Sequence, residues 1–523
     1  MGKHDEINIA AGRDDSPDPE KESVEDASTH ELKREMSGRH LQFIAIGGAV
    51  GTGLFIGSGT SLATAGPVGC LISYLFVGTI LYSVMTSLGE MATYLPTPGS
   101  FTSYSARFVD PALGFAMGWL YWFSWSITWA LELTAAGLII QYWDANLTIG
   151  MWIAIFWALF TAINFMPVRW YGELEMWFVS IKVITIIGFI IFAICIDAGV
   201  SPQGYLGFHN WVHPGPFATY NDNMSPATGK FVSFWAVLVT AAFSYQGAEL
   251  VGIGAGEARD PHKTVPVAIR NTFWGILFLF VGTIFFLGLL VPYDNKDLLN
   301  GTTSGASSPL VIAANLASVP VLPHIINAVL LTAVLSAANS NVYSGSRILV
   351  ALANEGHAPQ FITKTNKHGI PYFAVATTSA IGLLAFLNLS DGGSNAFNWF
   401  LNITSVAGLT TWASISLSHI CFQRAMKVQG VPRASLPYRG FLQPYLAWYG
   451  LFFNVLIIIT QGFTAFMPWS TSGFFTAYIS VILFVVLYIG FKVWKRPAFV
   501  KASEADLVKG RLEIVGGAFE EEK

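Results

Sequence analysis

Ile46-Gly47-Gly48-Ala49-Val50-Gly51-Thr52-Gly53-Leu54-Phe55-Ile56-Gly57 lies inside the first long apolar run of the chain, and from 47 to 57 five of eleven residues are glycine. Each glycine costs a helix interior about 1 kcal/mol relative to alanine, so a helix laid through this stretch is expected to unwind. A second run is interrupted in the same way: Phe243-Ser244-Tyr245-Gln246-Gly247-Ala248-Glu249 leads into Gly252, Gly254 and Gly256. Glycine-broken segments in corresponding places of two halves mark transporters built from inverted repeats, with the binding site at the breaks. If spans 1–5 and 6–10 are the two repeats, the breaks in spans 1 and 6 correspond. The alternative is that the glycines serve close helix packing; Gly51-Thr52-Gly53 is denser than packing requires.

Outward from these breaks, the composition is that of a membrane protein. Of 523 residues 53% are hydrophobic and 11% charged, roughly half the charged share of a soluble domain. Apolar runs of about 20 residues, enough to cross the hydrocarbon core, recur from about 43 to 494. Twelve spans are expected, near 43–66, 70–95, 113–143, 148–165, 174–197, 231–253, 271–292, 323–352, 372–389, 397–420, 445–467 and 473–494. The fold class is an all-α membrane protein of twelve transmembrane helices, with a transporter domain over 39–496. A net charge of −4 argues against nucleic acid as a partner. Cys70, Cys195 and Cys421 have no paired spacing, so neither a disulfide framework nor a zinc site is indicated.

Residues 1–38 hold eleven acidic and five basic side chains with little apolar surface, which predicts a disordered N-terminal tail. No apolar h-region opens the chain, so the first span is expected to direct insertion. Residues 497–523 form the C-terminal tail. Starting inside, 25 of the 28 Lys and Arg fall on the side of the tails; Lys230 and Lys296 fall outside and Lys182 within a span. The positive-inside rule then puts both termini in the cytoplasm.

An unwound span offers free amides to a carboxylate and free carbonyls to an ammonium, and an amino acid's backbone carries both. Lys182 is the basic residue well inside a span, where charge is costly and usually functional, although a long side chain can snorkel. Glu132 and Glu249 are carboxylates at membrane depth, each needing a proton or a partner: proton or gating groups, substrate contacts, or structural hydrogen-bond acceptors. Glu90 reads as structural. Ser336, Ser340 and Ser344, at i, i+4 and i+8, read as a small-residue packing stripe. Asn402, Thr404 and Ser405 are polar groups inside span 10. Glu257, Arg259, Asp260, His262 and Lys263 read as a solvated loop, with an inner-gate ion-pair network as the alternative. The spans show no nucleophile with its base and no ligand cluster, so no enzyme and no cofactor is expected.

The runs Gly51-Thr52-Gly53-Leu54-Phe55-Ile56-Gly57, Gly89-Glu90-Met91, Ser180-Ile181-Lys182-Val183-Ile184, Gln246-Gly247-Ala248-Glu249-Leu250-Val251-Gly252 and Ser336-Ala337-Ala338-Asn339-Ser340-Asn341 resemble the fungal amino-acid permeases of the amino acid–polyamine–organocation superfamily, over about 38–496. The stretches Tyr121–Thr128, Ala130–Leu133 and Leu322–Val329 most resemble the basic amino-acid (arginine, lysine, histidine) permeases. The resemblance implies a five-plus-five inverted-repeat fold with broken helices 1 and 6 and proton-coupled amino-acid uptake at the plasma membrane. It implies that Gly51, Thr52 and Gly53 hold the substrate carboxylate and the Ala49 carbonyl the ammonium, with Phe243 closing over the substrate and Gln246 beside it. It puts Thr404 and Ser405 next to the substrate side chain, as selectivity candidates, and Lys182 where sodium-coupled relatives bind a cation, as a proton-coupling group. Glutamates at 132 and 249 also occur in members taking neutral substrates, so a broad-specificity or neutral permease, or an amino-acid sensor of the same fold, stands as the alternative. The implied partners are the amino acid, the proton, the lipid bilayer, and ubiquitin ligase machinery acting on the tails, with Lys3, Lys21 and Lys33 as acceptors.

Overall fold

The glycine-rich stretches decide where the helices stop. The computed structural model describes residues 38–521 apart from 98, 145, 147, 167, 222, 259, 300–307, 367, 368, 390–392, 467, 516 and 517. The expected N-terminal tail, with Lys3, Lys21 and Lys33, therefore lies outside the described residues save Gly38. Helix α1 (Gly38–Ala49) ends where the glycines begin to alternate with larger residues, Val50 and Gly51 bend, and a π-helical turn (Gly53–Gly57) leads into α2 (Ser58–Tyr94). The principal helices that follow are α3 (Pro111–Ile140), α4 (Ile149–Asn164), α5 (Val168–Cys195), α6 (Pro226–Tyr245) and α7 (Pro261–Leu290). Then come α8 (Leu322–Asn354), α9 (Tyr372–Ile381, continued by the 3-10 turn Gly382–Leu389), α10 (Gly393–Val428), α11 (Tyr445–Thr460) and α12 (Thr471–Lys495). A two-stranded hairpin, Leu512–Val515 with Ala518–Glu521, closes the described chain.

Among the described residues ten helical runs are long and apolar enough to cross a membrane, one of them the 54-residue run Leu41–Tyr94; α4, at 16 residues, is shorter. Large apolar side chains stand exposed around the outside, among them Ile184, Ile191, Phe278, Phe452 and Val486. Such a surface is stable only against lipid. Helix starts follow the local chemistry. Asp110 accepts from the Ala112 amide ahead of Pro111, Ser225 from Thr228 ahead of Pro226, and Asp260 from Lys263 ahead of Pro261. Each pairs a capping side chain with a proline at a position whose amide has no helical partner.

The sequence places a turn between spans at 66–70, whereas the helix runs on through a kink. Gly66 has φ 74° and Pro67 follows it. Proline removes one amide and clashes with the preceding turn, so backbone groups are freed. The segment 216–218 takes them: Ala218 donates to the Ala65 carbonyl (3.1 Å) and the Val68 amide to Pro216 (3.0 Å).

At the end of the bundle carrying the terminal segments, Glu90 is fully buried and would be costly unpaired. It accepts from Gln423 Nε2 (2.6 Å), an Arg433 guanidinium N–H (2.5 Å) and the Gly440 amide (2.8 Å), with His419 Nε2 at 2.7 Å. It thus ties α2 to α10 and to the loop after it, as its structural reading expects. The segment after α12 also packs on this end: Val500 donates to the Val109 carbonyl, Gln429 to the carbonyls of Ala502 and Ala505, and Leu507 is buried.

A Cβ at Gly66 would lie 2.6 Å from the Ala218 nitrogen, whereas one at Gly188 meets nothing within 4 Å. With a left-handed cost of about 1–2 kcal/mol added, Gly66→Ala is expected to lower the melting temperature of the purified protein by several degrees. Gly188→Ala, inside α5 with open space for the methyl group, should not lower it in the same detergent and by helix propensity should raise it slightly.

Candidate functional site

α6 stops at Tyr245; Gln246 is extended (φ −61°, ψ 148°), Gly247 takes φ 96°, and helix resumes over Leu250–Ile253. This second break lies directly on the first. A Cβ at Gly247 would sit 2.7 Å from the Gly48 carbonyl carbon, and one at Gly53 would sit 2.6 Å from Ser244 Cα. Only glycine at 247 supplies both the positive φ and the close approach. Two irregular backbones at membrane depth therefore pack against each other and not against lipid, the condition under which such backbone is tolerated.

A narrow cavity of about 50 Å³ opens at this crossing, room for a few waters. Ala49, Gly51, Thr52 and Gly53 line one wall and Phe243, Gln246 and Glu249 the facing wall, with Glu132 and Tyr121 from α3 and Gly408 from α10. Eight of the eleven site residues expected from sequence and resemblance thus come to one place, and three lie elsewhere. Thr404 and Ser405 are buried but turn their hydroxyls back onto α10: Thr404 donates to the Phe400 carbonyl (2.9 Å) and Ser405 to that of Leu401 (2.5 Å). Their own carbonyls accept from Gln246 Nε2 at 3.3 and 3.0 Å, so they hold a lining residue without lining the cavity themselves. Lys182 sits behind α1, fully buried, and donates to the Gly47 carbonyl at 3.1 Å. That carbonyl belongs to the last turn of α1, where the helix leaves acceptors free.

The two lining carboxylates are held differently. Glu249 is tied down, its Oε2 accepting from the Gly247 amide (3.1 Å) and Trp412 Nε1 (3.3 Å), with the Tyr121 hydroxyl 3.5 Å from Oε1. It braces the α6 break. Glu132 accepts from the Thr52 hydroxyl through Oε1 (2.9 Å), while its buried Oε2 has no partner among the described residues. An unpaired buried carboxylate oxygen is expensive to maintain, and here it belongs to a residue of the cavity lining. The described lining residues bring these two carboxylates and no Lys or Arg.

Glu175 belongs to the same assembly and is not singled out by the sequence reading, which has span 5 starting at 174 and so leaves it at a boundary. It is buried, and both its oxygens accept from the Ser336 hydroxyl, at 3.2 and 3.1 Å. The serine stripe of α8 is thus a carboxylate cradle as well as a packing surface. The available signal is the seven-residue spacing from Lys182, which puts both on one face of α5. Of the loop group after α6, Asp260 caps α7 and meets Lys263 at 3.4 Å; Arg259 and the Glu257 side chain lie outside what is described.

Comparison with known proteins bears on what the cavity holds. The family model for amino acid permeases matches residues 40–504. The lysine-specific permease of Saccharomyces cerevisiae is 46% identical over 493 residues, 94% of this chain and 81% of that protein. A lysine/arginine permease of Candida albicans is 47% identical over 465 residues, 88% of this chain and 80% of that protein. The dicarboxylic amino acid permease of Saccharomyces cerevisiae is 41% identical over 508 residues, 95% of this chain and 82% of that protein. The matched span takes in both helix breaks and every lining residue of the cavity, and on that ground the chain belongs to the amino acid permease family.

Proposed function

We propose that this chain is a plasma-membrane permease that takes up basic amino acids, lysine, arginine and histidine, coupled to protons and by alternating access. The relatives named for lysine and arginine support the substrate class. A relative named for dicarboxylic amino acids means that similarity alone does not decide it, and the charge of the cavity is what separates the two. Two carboxylates and no Lys or Arg in the described lining favour a cationic side chain and repel an anionic one by ordinary electrostatic complementarity. The single observation that carries the reading is Glu132, a buried carboxylate in the lining of a cavity at the crossing of two helix breaks, one of whose oxygens has no partner among the described residues.

In this reading the substrate carboxylate rests on the amides of Gly51, Thr52 and Gly53 at the start of the helix that runs into α2, where the dipole favours an anion. The α-ammonium meets the Ala49 carbonyl, and Glu132 draws the side-chain cation. Phe243 closes over the substrate, Glu249 braces the break, and Thr404 and Ser405 act on selectivity through Gln246. The spans number twelve in a five-plus-five inverted repeat: the run Leu41–Tyr94 supplies spans 1 and 2 on either side of the Gly66 kink, and α4 supplies the short one. Both termini face the cytoplasm, where the tails are open to ubiquitin ligase machinery. Lys182 couples transport to the proton, since a buried ammonium on the Gly47 carbonyl feels any displacement of α1 and each state of the protein solvates or pairs it differently.

In permease-deficient yeast, excess unlabelled arginine should suppress labelled lysine uptake at least about tenfold more effectively than excess leucine or aspartate; equal suppression by leucine would move the assignment to a broad-specificity permease. Binding of lysine without any net uptake would instead make the protein a sensor. Glu132→Gln, delivered normally to the plasma membrane, should lose at least about thirtyfold in lysine uptake, the low end of the roughly 2–5 kcal/mol that losing a buried charge pair costs. Wild-type uptake should rise as external pH falls and should not need sodium. In Lys182→Met uptake should either stop or lose its dependence on pH; an unchanged pH profile in that variant would remove Lys182 from the coupling scheme.

A further inference from the structure

Glu175 and Lys182 are linked through one residue of α1. Glu175 Oε1 lies 3.0 Å from where a Cβ of Gly47 would stand, and the Gly47 carbonyl is the acceptor of the Lys182 ammonium at 3.1 Å. Seven residues of α5 separate the two along about 10.5 Å of axis, and a long side chain directed toward the helix N-terminus shortens that gap. Glu175 and Glu132 are the two carboxylates whose charge bears on the Lys182 ammonium. Fully ionised, the three groups would leave one negative charge in excess in a dry interior, an arrangement that needs a proton or a cation to offset it.

We propose that Glu175 is a second proton-coupling residue, exchanging the transported proton with Lys182 as α1 shifts against α5 and α8. This deepens the transporter reading above and rests on it. In the step, once the shift of α1 lets the two meet, the Lys182 ammonium gives its proton to the Glu175 carboxylate, leaving a neutral amine and a carboxylic acid; the reverse transfer restores the two charges, and no other reactant is involved. Both partners abut Gly47, so movement of α1 toward an open or closed cavity changes which form is favoured. Around Glu175, α5 brings Lys182, α8 brings the hydroxyls of Ser336 and Ser340, and α1 brings backbone. Glu132 on α3 reaches the group through Lys182. Among the described residues, α4 and α7 bring it no charged partner.

The test uses the full-length protein in liposomes, with wild type, Glu175→Gln and Glu175→Asp compared in two assays. One is exchange of labelled for unlabelled lysine without any gradient, and the other is accumulation of lysine driven by an inward proton gradient over a series of pH values. Glu175→Gln should keep exchange within about twofold while losing at least about tenfold of the gradient-driven accumulation and its pH dependence. Glu175→Asp, which retains the carboxylate, should keep both. A wild-type pH profile in Glu175→Gln overturns the proposal. So does loss of exchange in step with accumulation, which marks Glu175 as structural. Failure of the wild type to exchange lysine would overturn the transporter reading itself and is read in a different arm.

Discussion

Everything at the centre of this protein depends on the contact between two interrupted helices. In a bilayer no water reaches an open backbone group, and each one left unpaired costs several kcal/mol. The chain meets that constraint by laying the break after α1 on the break after α6, with Gly48 and Gly53 against Gly247 and Ser244. Side chains then take the groups that the breaks release. Lys182 donates to the Gly47 carbonyl, Ser308 to the Phe55 carbonyl, and Glu249 accepts the Gly247 amide. What remains open is the small polar space at the crossing.

The same economy of polar groups explains the distribution of charge at membrane depth. Glu90 is saturated by donors and Glu249 Oε2 accepts two, and both tie their helices to neighbours. Glu132 is half-satisfied and faces the cavity, and Glu175 shares Gly47 with Lys182. A carboxylate whose hydrogen bonds are complete has little left to offer a ligand, whereas one with an unpaired oxygen in a low dielectric is a strong site for a cation. Ranking these four acids by their partners separates roles that their equal burial does not.

Much of this was legible in the sequence for physical reasons that can be named. Clustered glycines at 47–57 and 247–256 carry a helix cost that only an irregular backbone removes, so the two interruptions could be located; Glu132 and Glu249 stood out as carboxylates in apolar runs, and the other expected lining residues came with the family resemblance. Three features were hidden because they depend on partners distant in the chain. Gly66-Pro67 reads as a turn between spans, and only the segment 216–218 shows how a kinked helix can continue through it. Thr404 and Ser405 read as pocket hydroxyls, yet inside a helix such groups bond back to the carbonyl four residues earlier. Glu175 goes unremarked because apolar runs alone set the span limits and it falls at the start of one.

The most direct measurement of the site is a cryo-electron microscopy structure of the protein in lipid nanodiscs with lysine bound. Lysine density should lie at the crossing of the two breaks, with its carboxylate at the Gly51-Thr52-Gly53 amides and its side-chain ammonium within hydrogen-bonding distance of Glu132. Lysine density elsewhere in the bundle, with the space between Gly51 and Gln246 holding only water, would contradict it.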